Sequence, residues 1–180
     1  RLRRAIANLY KQVRPEDVIL VHGGTGANST VVYTLIEPSY NVVSVMPNYQ
    51  QYYSLPRSIG AEVRTVDLTP EKAYKLDMAQ VRAKTDSNTR QELLAAITPR
   101  TKVLVLPFPN NPTGALLEPE EMEELADIAR SAGAWIVCDE MYRGLKEEYM
   151  PSMADIYDKA IVTCSSSKMF SMAGLRCGWI

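Results

Sequence analysis

Residues 102–144 read "KVLVLPFPNNPTGALLEPEEMEELADIARSAGAWIVCDEMYRG". The stretch begins and ends with apolar, β-branched runs, Lys102–Phe108 and Ala134–Asp139, and neither alternates polar with apolar residues. That is the pattern of a strand buried on both faces. Between them the spacing predicts a helix over Glu118–Ser131. Met122, Leu125, Ile128 and Ala129 share one face. Glu120, Glu121, Glu123 and Glu124 load its first half, where the positive end of the helix dipole favours acids. Pro119 suits a first-turn position and Gly133 a C-terminal stop. A strand, a helix and a second buried strand form a βαβ unit, which implies a parallel sheet.

The same alternation continues outward. Val18–His22, Asn41–Met46, Glu62–Leu68 and Ala160–Ser166 read as further strands. Leu2–Val13, Thr25–Ile36 and Gln50–Ile59 read as helices. The polar region Thr69–Thr98 is expected to hold helices and a surface loop at "KTDSNT". The expected fold is α/β, a three-layer α/β/α arrangement with a mostly parallel sheet.

The chain has 180 residues, 46% of them hydrophobic, and a formal net charge of -1. That is the composition of a globular chain long enough for one substantial core, and nothing in the charge points to nucleic acid or an anionic membrane. No apolar run reaches the ~20 residues of a membrane-spanning helix. Cys138 and Cys164 lie in apolar runs and read as buried free thiols, which fits a reducing, cytoplasmic compartment. With one histidine, His22, and no CxxC, neither a zinc site nor a Ser-His-Asp triad is expected. The basic start "RLRRAIANLY" has no apolar signal core. The absence of an initiator Met and the end inside an apolar run suggest a piece of a longer protein.

In parallel sheets, ligands collect at the C-terminal ends of the strands. Five strand ends here carry "GGTGAN", "PNYQQYY", "PNNPTG", "CDEMYRG" and "SSSKMFSMAGLR". Each has a plain structural reading. "PNNPTG" could be only a turn, "GGTGAN" a tight strand-to-helix connection, Asp139 a solvated strand end or helix cap, and Lys168 a surface lysine.

Taken together they form a chemical kit. The glycine-rich turn opening a helix offers backbone N–H groups to an anion, most simply a phosphate. Ser165, Ser167 and Arg176 are good phosphate ligands. Lys168, beside a cationic group and partly desolvated, would lose proton affinity and become a nucleophile for carbonyls. Asp139 at the end of a buried strand needs a partner, and a protonated ring nitrogen would serve. Asn111 and Tyr142 could hold an oxygen on the same ring. The ligand with a phosphate, an aldehyde, a pyridine nitrogen and a ring oxygen is pyridoxal 5′-phosphate.

The motifs "NNPTG", "DEMYRG", "SSSK" and "GLRCGW" also resemble, in order and spacing, those of fold-type I pyridoxal-phosphate-dependent enzymes, specifically the class I/II aminotransferases. The resemblance covers nearly the whole chain. Within the family, "GGTGAN", "PNYQQYY" and "DEMYRGL" look closest to the capreomycidine synthase-like branch. The resemblance implies an aspartate aminotransferase-like large domain over residues 1–180, lacking the family's N-terminal segment and C-terminal small domain. It implies Lys168 as the Schiff-base lysine and proton shuttle, Asp139 on the pyridinium, and Asn111 and Tyr142 on the ring oxygen. Gly24, Thr25, Ser165, Ser167 and Arg176 would hold the phosphate, and Tyr49 would stack on the ring. The implied reaction passes an amino group between an amino acid and a 2-oxo acid, in a homodimer when full length. Another reaction on the same cofactor (lyase, cyclase or decarboxylase) and an aminotransferase-like domain of a transcriptional regulator remain as alternatives.

Overall fold

The computed structural model of the chain describes residues 1–74, 101–145 and 150–180. Seven strands form one sheet: β1 (Leu20–His22), β2 (Asn41–Met46), β3 (Glu62–Asp67), β4 (Thr101–Val105), β5 (Trp135–Asp139), β6 (Ala160–Ser165) and β7 (Cys177–Trp179). Their spatial order is β1-β7-β6-β5-β4-β2-β3. The five strands from β6 to β3 are parallel, and β7 runs antiparallel to both β6 and β1. Most of the expected polar region lies outside the described residues; Pro70–Lys72 within it forms a 3-10 turn.

The helices are α1 (Leu2–Ala7), α2 (Gly23–Leu35), α3 (Gln51–Ile59), α4 (Pro119–Ala132) and the single turn α5 (Ser166–Met169). Helix α4 begins as the sequence predicts. Pro119 takes the first position, the Glu121 carboxylate accepts the backbone N–H of Glu118 at 2.8 Å, and Gly133 closes the helix at φ 65°. Gly133 is required there because an L side chain resists the left-handed region. Burial of Met122 and Leu125 against the sheet contributes about 1.5–3 kcal/mol each. Helix α1 is shorter than expected. It ends at Ala7, and the following backbone is held by distant groups: Asp155 accepts from the N–H groups of Lys11 and Gln12, each at 2.9 Å.

The non-alternating strands are covered on both faces. Along β4 and β5, Leu104, Ile136 and Cys138 pack in the cluster that includes α4, while Val103, Val105 and Val137 pack against residues of α2 and α3. Successive side chains on a strand point to opposite faces. This pleat therefore carries Asp139 to the α2/α3 side and Glu140 to the α4 side.

Candidate active site

The polar strand ends converge. One cavity of about 340 Å³ is lined by all ten residues singled out from the sequence: Gly24, Thr25, Tyr49, Asn111, Asp139, Tyr142, Ser165, Ser167, Lys168 and Arg176. Asn28, Asn48, Tyr52, Pro107, Pro109, Met141 and Ala173 complete the wall. The volume lies in the small-molecule range of roughly 300–1,000 Å³.

One end is built for an anion. Helix α2 starts at Gly23, buried at φ 72°; Gly24 and Thr25 of its first turn line the cavity, and no acidic side chain stands in that turn. The guanidinium of Arg176 occupies the space where a Cβ on Gly23 would stand. The methyl of Met141 occupies the corresponding space at Gly24, and the Gly23 carbonyl leaves no room for a side chain on Gly178. Gly178 is dictated by this backbone approach and Gly23 by its positive φ, whereas the Met141 methyl facing Gly24 could move aside. Ser165 caps α5 by accepting the N–H of Ser167 at 3.2 Å, and its hydroxyl donates to the Met141 sulfur at 2.8 Å. Thr25 and Ser167 border the same end.

Asp139 forms the floor. It is 9% exposed, and its Oδ1 accepts the N–H of Met141 at 2.8 Å. Its Oδ2 accepts from the Tyr52 hydroxyl and from Asn28 Nδ2, the latter at 3.3 Å. Asn28 is held in turn by the Thr163 hydroxyl, which donates to its Oδ1 at 2.6 Å. Burial raises the carboxyl to about 6, with the Met141 N–H and Asn28 opposing. Among the described residues no lysine or arginine pairs with it.

The side wall comes from the turn after β4. Its organiser is Asn110 rather than Asn111. The buried Asn110 side chain accepts the Thr113 hydroxyl at 2.7 Å, and its carbonyl accepts the N–H of Gly114 at 2.8 Å. Asn111 is thereby left on the cavity wall, next to Tyr142. Tyr49 is 47% exposed and meets Tyr52 edge-on, with ring centroids 6.1 Å apart.

Lys168 lines the cavity from α5, but its side chain is exposed. The partial desolvation expected for it is not supplied by the described residues.

Asn28 and Tyr52 were not singled out from the sequence. Each stands three residues beyond one that was, Thr25 and Tyr49. In α2, that spacing puts Thr25 and Asn28 on one helix face.

The family described as aminotransferase class I and II matches residues 1–180, the whole of the chain. The chain belongs to the class I and II aminotransferases. A PLP-dependent aminotransferase from Streptococcus suis 89-1591 is 39% identical, with a TM-score of 0.86 over 98% of this chain and 44% of its own. The N-succinyldiaminopimelate aminotransferase structure from Mycobacterium tuberculosis is 32% identical, with a TM-score of 0.82 over 99% of this chain and 46% of its own. The aspartate/prephenate aminotransferase of Thermus thermophilus is 31% identical over 99% of this chain and 45% of that protein. The chain therefore spans less than half the length of these relatives.

Membership in this aminotransferase family implies pyridoxal 5′-phosphate, and the cavity fits it. An acid buried without a cationic partner lies at the floor, a glycine cradle closed by a guanidinium lies at one end, and an amine stands at the mouth.

Proposed function

We propose that the protein carrying this chain is a pyridoxal-phosphate-dependent aminotransferase that moves an amino group between an amino acid and a 2-oxo acid. The observation that carries the reading is that Lys168 and Asp139 line the same cavity, with an anion cradle between the starts of α2 and α5. When bound, the cofactor supplies an electron sink that makes the α-C–H bond of an attached amino acid acidic.

The chain's own residues supply the rest. Gly24, Thr25, Ser165, Ser167 and Arg176 would hold the phosphate and so fix the ring's direction. Asp139, ionised, would hold a proton on the ring nitrogen; its burial makes that pairing strong once a positive charge is present. Asn111 and Tyr142 would donate to the ring oxygen, and Tyr49 would cover one ring face. Lys168 would take the aldehyde in the resting enzyme and later carry the α-proton from one carbon to another.

The names of the Thermus thermophilus and Mycobacterium tuberculosis relatives support an amino acid and a 2-oxo acid as substrates. Phe170, Met172 and Leu175 are exposed on the segment joining Lys168 to Arg176. These apolar side chains support a covering partner, as in a homodimer. Among the described residues no helix is long and apolar enough to cross a membrane, which is consistent with the cytoplasmic location we infer.

The test is covalent. Borohydride should fix the cofactor to the wild-type protein at Lys168, detectable by peptide mass, and Lys168→Ala should abolish both the label and turnover. A label retained elsewhere in Lys168→Ala, or formation of products other than a 2-oxo acid and the aminated cofactor, would overturn the assignment.

A further inference from the structure

The cavity uses one face of the segment that follows β5. Asp139, Met141 and Tyr142 line it, while Glu140 and Arg143 point to the other side. These two are almost fully buried, at 2% and 5% exposure. Arg143 Nε stands 3.5 Å from Glu140 Oε2. Glu140 Oε1 accepts the Ser152 hydroxyl at 2.9 Å and the N–H of Met153 at 2.8 Å. Oε2 has no hydrogen-bond partner among the described residues, so the guanidinium answers it by charge alone.

Arg143 reaches further. Its Nε donates to the Met150 carbonyl at 2.6 Å, and Nη1 and Nη2 donate to the Leu9 carbonyl at 3.1 and 3.2 Å. The guanidinium lies over the ring of Tyr10, 4.9 Å from its centroid, and the Tyr10 hydroxyl accepts the indole N–H of Trp179 at 2.9 Å. The pair thus connects the residues after β5, the stretch 150–153 and the N-terminal stretch 9–10. Apolar side chains of similar volume would fill this space but leave the Ser152 hydroxyl, the Met153 N–H and the Leu9 and Met150 carbonyls without these partners. They would make none of these directed contacts.

We propose that Glu140 and Arg143 are positioning residues for the cavity: locked together behind β5, they hold residues 139–143 so that Asp139 and Tyr142 keep their place on its wall, and they tie that segment to residues 9–10. Within five consecutive residues Glu140 and Arg143 take the back and Asp139, Met141 and Tyr142 the front, so a rigid back holds the front. A displacement of one ångström at a site of this kind is enough to lose most of a ligand's fixed orientation.

The inference rests on the reading that the cavity takes pyridoxal phosphate, and the experiment separates the two. Cofactor is titrated by absorbance into the wild-type protein, Glu140→Gln, Arg143→Met, and the control Met122→Ala, a core truncation on the same side of the sheet in α4. Visible circular dichroism per bound cofactor reports how firmly the ring is oriented. Glu140→Gln keeps the size and the Oε1 acceptor while removing the charge that faces Arg143; Tm is measured for every variant, so that each loss is compared with Met122→Ala at matched destabilisation. The expected result is an affinity loss of about tenfold in Glu140→Gln with weakened visible dichroism at saturation, while Met122→Ala lowers Tm and leaves both readouts within about twofold. Unchanged affinity and dichroism in Glu140→Gln, or an equal loss in Met122→Ala, overturns the positioning role. If the wild-type protein takes up no cofactor, the function reading fails and the lock is judged by hydrogen exchange. Faster exchange of residues 139–143 and 8–12 in Glu140→Gln then supports it, and unchanged exchange overturns it.

Discussion

Asp139 and Glu140 are adjacent, both buried, and both carry carboxyls that burial pushes upward, to about 6 and about 7. They differ in what answers their charge. Behind the sheet, Glu140 has Arg143 at 3.5 Å and two neutral donors. In front of it, Asp139 has only neutral donors among the described residues: a phenol, an amide and a backbone N–H. An ionised buried carboxylate without a counter-charge is costly. On the closed face a guanidinium offsets part of that cost, although burial still dominates; on the face that opens to the cavity no described charge offsets it. A perturbed acid whose compensation is missing, in a cleft, marks the place where a ligand supplies it.

Removing each acid separately gives the largest contrast. Asp139→Ala should cut kcat by about 10²-fold or more, because in the proposed function the acid would act directly on the cofactor ring, and should leave the fold intact. Glu140→Ala leaves the Arg143 charge buried and unanswered, which should cost about 3–5 kcal/mol in denaturant unfolding. The comparison breaks if Asp139→Ala unfolds the protein and Glu140→Ala does not.

The pH dependence of stability sharpens it. Asp139 moves from its ordinary 3.8 to about 6 in the folded chain. Between those values the folded state keeps a proton that the unfolded state has lost, so stability falls as pH rises through this window and the full loss is present above it. The shift amounts to about 2–3 kcal/mol. Asp139→Asn does not titrate, so without cofactor its stability relative to wild type should rise from pH 4 to pH 7. Glu140 contributes in the same direction in both proteins and cancels in the difference. Added pyridoxal phosphate should close the gap by supplying a positive ring nitrogen. Thermal melts in the two conditions decide it; a gap that is flat with pH removes the contrast between the two acids.

Much of this was legible in the chain because parallel strands buried on both faces leave a plain mark. The runs Lys102–Phe108 and Ala134–Asp139 carry no alternation; β5 lies within the second and β4, starting one residue earlier, overlaps the first. Turn chemistry located the wall of the cavity, since Gly, Asn, Pro and Ser stand at strand ends for local reasons. What was not legible depends on distant partners. Strand β7 is only three residues long and enters the sheet between β6, the strand before it, and β1, from the far end of the chain. The end of α1 at Ala7 is set by tertiary contacts from Asp155 and Arg143, so helical spacing through Val13 misjudged it. Glu140 gave no sign of its burial because the groups that hold it, the Ser152 hydroxyl and the Met153 N–H, lie twelve and thirteen residues away.

Tyr52 offers the finest test, since it was one of three tyrosines in "PNYQQYY" and the sequence did not distinguish it from Tyr53. It is 2% exposed, and its hydroxyl donates to Asp139 Oδ2 and accepts from Asn28 Nδ2 at 2.7 Å. A hydrogen bond donated to a carboxylate favours its ionised form. Tyr52→Phe removes that donor and keeps the ring in the core, so the Asp139 carboxyl should rise further and the ionised acid should become scarcer near neutral pH. Cofactor affinity in Tyr52→Phe should therefore begin to fall at a pH about half a unit to one unit higher than in wild type, with a loss of only a few-fold at pH 8. Tyr53→Phe, outside the cavity, is the control and should follow wild type. If Tyr52→Phe also follows wild type, Asn28 and the Met141 N–H alone set the acid, and the open face of the sheet is simpler than the closed one.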